Sequence, residues 1–257
     1  MFRIKNFEDN DDVIIREEAG PFKVIEYKRD LSVDYSQAQD SYYASEMNVR
    51  RRQLVCDVTK SNITVQSGAM QWVLGDVNVT TGIKGAGDFF KKKIRGSVTG
   101  EEAIKPEYTG NGILVLEPTY KHIILLDGDD WSNEIIIEDG LFLACDSDLE
   151  QRAIMRSTLS SAVAGGEGLF NLGFYGSGVV ALESYVPREE LIEISLDDDV
   201  LKIDGNMAIA WSGSLKFTVE RSSKSLIGSA TNGEGLVNVY RGTGKVLMAP
   251  VVKESNE

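Results

Sequence analysis

Histidine is nearly missing from this sequence. The 257 residues include one histidine, His122, together with two cysteines and five prolines. β-Barrel metalloenzymes of the cupin kind bind their metal through two or three imidazoles, and non-haem iron sites need two, so a single histidine excludes both classes. The Gly-x-Ser-x-Gly pattern of a nucleophile elbow is also absent. We therefore expect no catalytic residues, no cofactor and no enzymatic activity, and interpret His122 as an ordinary strand residue.

Cysteine and long apolar runs are scarce as well. Two cysteines, Cys56 and Cys145, are too few for the disulfide framework of a small secreted domain, so we expect two buried thiols in a reducing compartment. The longest apolar runs, such as residues 123–126, have the length of strands, whereas a membrane-spanning helix needs about 20 residues. No apolar run follows the first charged residues, so we expect no signal peptide. These absences favour a cytoplasmic protein without a membrane span.

Positive charge is the third shortage. The formal net charge is −13, which repels phosphate backbones and anionic lipids and so disfavours a nucleic-acid partner. One basic cluster runs against this trend. We interpret it first as a solvated loop, and as the alternative as an interaction patch. It consists of Lys91, Lys92, Lys93 and Arg95.

A repeated glycine pattern is what the sequence does contain. Three Gly-x-Gly segments align, and they are evenly spaced along the chain. An aromatic residue precedes each first glycine by two positions, and apolar residues follow it at the fourth and sixth positions. Recurrence in every copy favours a backbone role, because glycine permits positive φ and close approach of strands. The glycines are Gly110 and Gly112, Gly176 and Gly178, and Gly242 and Gly244.

Further landmarks accompany each copy. A glycine preceded by a polar residue occurs at Gly68, Gly140 and Gly205, and a Gly-Glu-Gly-Leu segment occurs at residues 166–169 and 233–236. The residues between the landmarks alternate or are β-branched, and both patterns indicate strands. The sequence therefore predicts an all-β sandwich or prism made of three repeated modules in a pseudo-threefold arrangement.

The repeat also predicts how the chain is organised. Residues 51–252 should form a single β domain, since one module alone would leave a sheet face uncovered. The modules are expected at about 51–120, 121–186 and 187–252. Residues 1–50 are predicted to be an N-terminal extension with strands, residues 35–52 to hold a short helix capped by Ser36, and residues 253–257 to be a tail.

Two short sequence features suggest where strands end. Pro118 and Pro250 each lie eight residues after the first glycine of their copy, where a proline would end a strand. Acidic clusters at residues 127–130 and 197–199 are predicted to be turns between strands. Such carboxylates could also bind a hard cation, although no calcium-loop spacing is present.

These landmarks resemble the altered-inheritance-of-mitochondria family, which includes a mitochondrial biogenesis protein of yeast and many bacterial proteins. The resemblance rests on residues 67–70, 165–170 and 176–180, covers about residues 50–252, and is to a bacterial-type member. It implies a β-sandwich fold similar to that of the trp RNA-binding attenuation protein, in a pseudo-threefold array. It implies no established enzymatic activity and no agreed catalytic residues.

Three functions are compatible with this sequence. The first is a non-enzymatic protein-interaction or scaffold protein, acting through a protein partner or through self-association into a homo-oligomer. The second is a ligand-binding module for a sugar, a nucleotide or single-stranded nucleic acid. The third is a metal-dependent activity at the acidic turns. The first is favoured, because the chain is rich in structural repetition and poor in reactive side chains.

Overall fold

The computed structural model describes residues 2–81, 105–155, 170–221 and 236–251. The predicted basic cluster, Lys91, Lys92, Lys93 and Arg95, lies outside the described residues. So do the Gly-Glu-Gly segments at 166–168 and 233–235.

The described chain is all-β apart from one short helix and three 3-10 turns, which confirms the all-β part of the prediction. The helix is α1 (Ala38–Glu46), inside the predicted range 35–52. The strands in chain order are β1 (Val13–Ala19), β2 (Phe22–Tyr27), β3 (Arg52–Asp57), β4 (Ile63–Val65), β5 (Met70–Thr80), β6 (Glu107–Leu116), β7 (His122–Asp127), β8 (Glu134–Ile137), β9 (Phe142–Asp146), β10 (Glu150–Met155), β11 (Phe170–Tyr175), β12 (Val179–Ser184), β13 (Ile192–Asp204), β14 (Ala208–Ser212), β15 (Lys216–Arg221) and β16 (Leu236–Met248).

Two antiparallel sheets contain all of these strands. The first has the order β1-β2-β3-β6-β4-β9-β12-β7, and β5 also pairs with β6. It curls until its end strands approach each other, where the Leu125 N–H donates to the Glu17 carboxylate at 3.2 Å. The result is a nearly closed barrel with a seam between β1 and β7. The second sheet has the order β10-β11-β8-β14-β16-β13, and β15 also pairs with β16.

The strand that follows the second glycine pair, β12, is buried on both faces. In β12, Val180 and Leu182 belong to a core cluster shared with the second sheet, which includes Ile209 and Leu247. Val179 and Ala181, on the opposite face, pack into the interior of the barrel. β12 therefore connects the two cores. Pro118 and Pro250 follow the ends of β6 and β16 by two residues.

The first glycine of each Gly-x-Gly pair has a backbone conformation that L-residues avoid. The φ angles are +122° at Gly110, +116° at Gly176 and +118° at Gly242. The landmark glycines are also alike, with φ of +81° at Gly68, +79° at Gly140 and +72° at Gly205.

Two local predictions were wrong in detail. Residues 197–199 do not form a turn between strands, because they lie inside β13 at a bulge between Leu196 and Asp199, where Asp198 has a φ of +49°. A bulge absorbs the extra residues while the strand continues, so an acidic cluster did not signal a strand end. The cap of the helical segment is Asp34 rather than Ser36. Its carboxylate accepts the Ser36 N–H at 2.9 Å and so starts the 3-10 turn Tyr35–Gln37, directly before α1.

Candidate interaction site

The seam of the barrel opens into a cleft of about 620 Å³. β1 contributes Arg16 and Glu17 to its walls, β2 contributes Glu26, β3 contributes Arg52 and β7 contributes His122. We call this the seam cleft. It brings together ionisable side chains from four strands, where β1 and β7 meet without a continuous ladder of hydrogen bonds.

Glu26 lies at the centre of the seam cleft. It is only 1% exposed, yet three arginines hold it. One carboxylate oxygen accepts from Arg16 Nη2 at 2.7 Å and from Arg50 Nη1 at 3.1 Å, and the other accepts from Arg52 Nε at 2.8 Å. Burial alone would raise the pKa of Glu26, but the Arg16 hydrogen bond and the arginine charges bring that pKa below its ordinary value. Glu26 is therefore an ionised carboxylate.

Arg52 is the buried partner, and it is 3% exposed. Its remaining N–H groups donate to backbone carbonyl oxygens of Asn48 at 3.0 Å, Arg50 at 3.1 Å and Tyr120 at 3.3 Å. Burial lowers the pKa of the Arg52 guanidinium, and the charge of Glu26 opposes this effect. Since its donors are used within the protein, Arg52 fastens the loop after α1 to the barrel.

Two other side chains of the seam cleft, His122 and Glu17, have pKa values shifted toward their neutral forms. Burial, aided by the charge of Arg52, lowers the pKa of His122 to about 4, so the imidazole is neutral near pH 7. Burial raises the pKa of Glu17, although the Leu125 N–H partly opposes the shift. His122, interpreted from the sequence as an ordinary strand residue, thus lines the cleft as a neutral imidazole.

The helix and the loops beside it form an exposed apolar surface. No residue of α1 is buried, and Tyr35 and Met47 near its ends are 95% and 77% exposed. We call this surface the helical patch. Its members, all exposed large apolar or aromatic side chains, are Leu31, Tyr35, Tyr42, Tyr43, Met47 and Val49.

A second cavity, of about 610 Å³, separates part of the helical patch from the barrel. Tyr27, Arg29, Arg51 and Tyr120 line it below the helix, and Arg50 lines both this cavity and the seam cleft. Aromatic and guanidinium groups thus lie beside one another along the outer end of the barrel. A surface of this composition is typical of protein-interaction sites, where tyrosine and arginine are enriched.

The sequence analysis predicted few of the residues that line these two cavities. None of the six repeat glycines lines the seam cleft or the cavity below the helix. Within the described ranges, no group of three or more His, Cys, Asp or Glu side chains is placed to hold a metal ion. Cys56 and Cys145 are free and buried, as expected. The run Arg50-Arg51-Arg52 was the available signal for the site, but its partner Glu26 is too distant in sequence to be recognised.

Comparison with known proteins identifies the family of this chain. The mitochondrial biogenesis AIM24 family matches residues 42–251. The chain belongs to this family. The AIM24 match confirms the resemblance and begins within α1, so β1 and β2 lie outside the matched region.

One solved structure extends the comparison to the fold. The crystal structure of protein SPYM3_0169 from Streptococcus pyogenes is similar, with a TM-score of 0.58 and 25% sequence identity over 80% of this chain and 90% of that chain. Among curated proteins, no similar sequence is found for this AIM24 family member. In the described ranges the only α-helix, α1, has nine residues, too few to cross a bilayer.

Proposed function

We propose that this AIM24 family member is a non-enzymatic protein-interaction or scaffold protein that docks a protein partner on the helical patch. The observation that carries the proposal is a nine-residue helix with no buried residue, surrounded by exposed tyrosine, leucine, valine and methionine side chains. A helix in a globular protein is normally stabilised by burying one face. Clustered exposed apolar side chains mark interaction surfaces.

The charges beside the helical patch balance one another. The basic residues that line the adjoining cavity are Lys28, Arg29, Arg50 and Arg51, and the acidic ones are Asp11, Asp12, Asp30 and Glu46. Arg29 is paired with Asp12, Arg50 with Glu26 and Arg51 with Asp30. The exposed aromatic and apolar side chains, rather than net charge, are therefore the groups that support docking of a partner.

The reactive side chains offer little that would support catalysis. Burial raises the pKa of Cys56 and of Cys145 far above neutrality, so both remain thiols. Glu26 accepts hydrogen bonds from three arginines, and Arg52 donates to Glu26 and to backbone carbonyl groups. These assignments favour an architectural role, and two unpaired cysteines favour a reducing, cytoplasmic location.

We further propose that residues 51–252 are one domain of three equivalent modules around a pseudo-threefold axis, in an arrangement similar to that of the trp RNA-binding attenuation protein. Module 1 contains β3–β6, module 2 contains β7–β12 and module 3 contains β13–β16. The shared glycine conformations described above support this proposal. So do three hydrogen bonds whose donors have the same even spacing as the Gly-x-Gly pairs: Glu117 N–H to Ala69 O, Glu183 N–H to Leu141 O, and Ala249 N–H to Met207 O, at 2.7, 2.8 and 2.8 Å.

The docking proposal is tested by changing the helical patch. In the full-length protein, Tyr42→Ser combined with Tyr43→Ser and Met47→Ser should abolish recovery of the specific partner that the unchanged protein captures from cells. These side chains are exposed, so thermal unfolding should shift little. Partner recovery is measured by quantitative mass spectrometry of the captured material.

The matched control is Ile192→Ser, which removes another exposed apolar side chain, on β13. It should leave partner recovery unchanged. Equal recovery by the patch variant and the unchanged protein would contradict docking on the helical patch. Equal loss in the patch variant and the control would indicate nonspecific adhesion.

The seam cleft favours a second candidate, a ligand-binding module for a nucleotide or sugar phosphate. Arg16, Arg50 and Arg188 line a cleft large enough for such a ligand. Its walls also contain the carboxylates Glu17, Glu26, Glu46, Glu189 and Glu190. A nucleoside diphosphate should then raise the thermal unfolding temperature, and Arg16→Gln should remove the increase. No increase at millimolar concentration would refute this candidate.

A further inference from the structure

We propose that the chain self-assembles head to tail, with the outer edge of β5 in one copy pairing with the outer edge of β13 in the next. This inference goes beyond docking on the helical patch. It rests on the three-module arrangement proposed above. It starts from the two junctions by which neighbouring modules are already joined inside one chain.

The first junction joins β4 of module 1 to β9 of module 2. Ile63 pairs with Asp146, and Thr64 pairs with Cys145. Two backbone hydrogen bonds flank these pairs. Gln66 N–H donates to Leu143 O at 2.8 Å, and Ser147 N–H donates to Asn62 O at 2.9 Å.

The second junction repeats this pattern between β8 of module 2 and β14 of module 3. Ile135 pairs with Ser212, and Ile136 pairs with Trp211. The flanking bonds run from Glu138 N–H to Ile209 O at 3.0 Å and from Gly213 N–H to Glu134 O at 2.9 Å. In both junctions the two donor and acceptor positions on each strand are four residues apart.

Strand register identifies the corresponding residues of the third junction. Ile63, Ile135 and Leu201 are each opposite the aromatic residue that precedes the Gly-x-Gly pair, at Tyr108, Phe174 and Tyr240 respectively. Leu201 is therefore the module 3 equivalent of Ile63 and Ile135.

The other half of the third junction is fixed by a bulge. Leu143 on β9 and Ile209 on β14 are bulge residues, without a partner in the pairing with β12 and β16 respectively. Gln71 on β5 has the same position in the pairing with β6. The equivalent hydrogen bonds would join Asp204 N–H to Gln71 O and Gly75 N–H to Val200 O. These positions keep the spacing of four residues on each strand.

The third junction is not formed between any strands that the structure describes. Among the described residues, β5 pairs only with β6, and β13 pairs only with β16. Each chain therefore presents one half of a junction on module 1 and the complementary half on module 3. The two edges differ from each other, so a contact between copies is heterologous and produces a ring or a filament.

Side-chain exposure supports a missing neighbour. Val73 is 41% exposed, whereas its register equivalents Cys145 and Trp211 are fully buried. Met70 is likewise 41% exposed, whereas its equivalents Phe142 and Ala208 are 4% and 3% exposed. β5 thus has apolar side chains at the positions that a neighbouring module covers elsewhere.

Lys202 occupies the position of Thr64 and Ile136 in the third junction. An edge lysine often protects a strand against pairing. Here its aliphatic stem can cover Val73, which would lie opposite, while the ammonium group reaches water. Lys202 therefore provides a direct test of which role the edge has.

Two proline variants of the full-length chain test the proposal. At both formed junctions, the residues equivalent to Val73 and Lys202 lie midway between the two residues of their strand that hydrogen-bond to the neighbouring module. N–H groups alternate in direction along a strand, so the N–H groups of Val73 and Lys202 point away from β6 and β16. Val73→Pro and Lys202→Pro should therefore block one edge each and leave the pairing with β6 or β16 intact. Native mass spectrometry and light scattering of the purified chain should show multiples of 28.3 kDa for the unchanged protein and monomers for either variant.

Mixing the two variants gives the sharpest outcome. Each retains the edge that the other has lost, so the mixture should form a one-to-one dimer and nothing larger. Val79→Lys, on β5 beyond the junction, is the control and should assemble like the unchanged protein. Should a proline variant fail to fold by circular dichroism, Val73→Lys and Val200→Lys replace the pair.

Three results would overturn the proposal. They are a monomeric unchanged protein at about 100 μM, unimpaired assembly of both blocked variants, and assembly of the unchanged protein without any dimer in the mixture. The variant with Tyr42, Tyr43 and Met47 changed to Ser should still assemble. This separates failure of edge pairing from failure of docking on the helical patch.

Discussion

At the scale of single residues, Glu26 determines the character of the seam cleft. Its carboxylate accepts hydrogen bonds from three arginines, contributed by β1, β3 and the loop after α1. Buried ion pairs offset their own desolvation only when they are fully paired, so removing one member is costly. The group therefore joins β1 and β2 to β3 and to the loop after α1.

The first prediction concerns this charge. Glu26→Gln leaves Arg52 buried without its anionic partner, and the free energy of unfolding should fall by about 3 kcal/mol. Urea unfolding measures the change. Glu18→Gln is the control, because Glu18 is exposed and lies 3.8 Å from Lys23, and it should change stability by less than about 0.5 kcal/mol. Similar losses in both variants would contradict a structural role for Glu26.

The second prediction is a pH dependence from His122. In the folded protein its pKa is about 4, below its ordinary value of 6.5. Between these values the unfolded chain binds the proton and the folded chain does not, so stability falls as the pH drops from about 6.5 to 4. Glu17, whose pKa is raised, acts in the opposite direction.

Because His122 is the only histidine, one substitution isolates this effect. His122→Gln should become more stable relative to the unchanged protein as the pH is lowered from 7 to 5. Urea unfolding midpoints at several pH values measure the difference. A constant difference across this range would show that His122 has the same pKa in both states.

The sequence revealed the composition of the site but not its contacts. Arg50, Arg51 and Arg52 are adjacent in sequence, yet Glu26 lies on another strand and Arg16 on a third. Which acid pairs with which base depends on the register of β1, β2 and β3, and register is set by packing that no local pattern encodes.

At the scale of elements, two glycines with different constraints can be compared. A methyl group on Gly112 would meet the carbonyl oxygen of Leu74 on β5 well inside contact distance, and a Val77 methyl at 2.6 Å. Gly68 has open space around it, but its φ is +81°. Gly112 is thus limited by close strand approach and Gly68 by backbone conformation.

The third prediction follows from this contrast. Gly112→Ala should lower the free energy of unfolding by about 2–3 kcal/mol, because two paired strands must separate locally. Gly68→Ala should cost about 1 kcal/mol, from backbone strain alone. Chemical denaturation measures both. A smaller loss for Gly112→Ala than for Gly68→Ala would contradict the close approach of β5 and β6.

Strand ends were predictable where backbone chemistry fixes them. Pro118 and Pro250 lack an N–H group, and β6 and β16 end before them. Residues 197–199 were misjudged, since aspartates in a bulge and aspartates in a turn have the same composition. β1 and β2 could be expected only as unspecified strands of the N-terminal extension.

At the scale of the whole molecule, the even spacing of the Gly-x-Gly pairs carries most of the predictable information. It predicted the strand-rich class, and it is the basis for the three modules proposed above. It could not show that the first and the last strands of residues 51–252 have different neighbours. β2 pairs with the outer edge of β3, whereas no described strand covers the outer edge of β13. That difference depends on how the N-terminal extension folds back, with β2 pairing on β3.

In the proposed function, this protein acts through exposed surfaces that bind partners rather than through a reactive centre. Hydrogen exchange measured on the protein bound to its cellular partner, and on the purified chain alone, tests it most directly. We predict slower exchange in the bound state in peptides covering residues 31–49, with little change in peptides of the seam cleft from β7. Unchanged exchange at residues 31–49, with slowing confined to the seam cleft, would contradict the account and identify the cleft as the functional site.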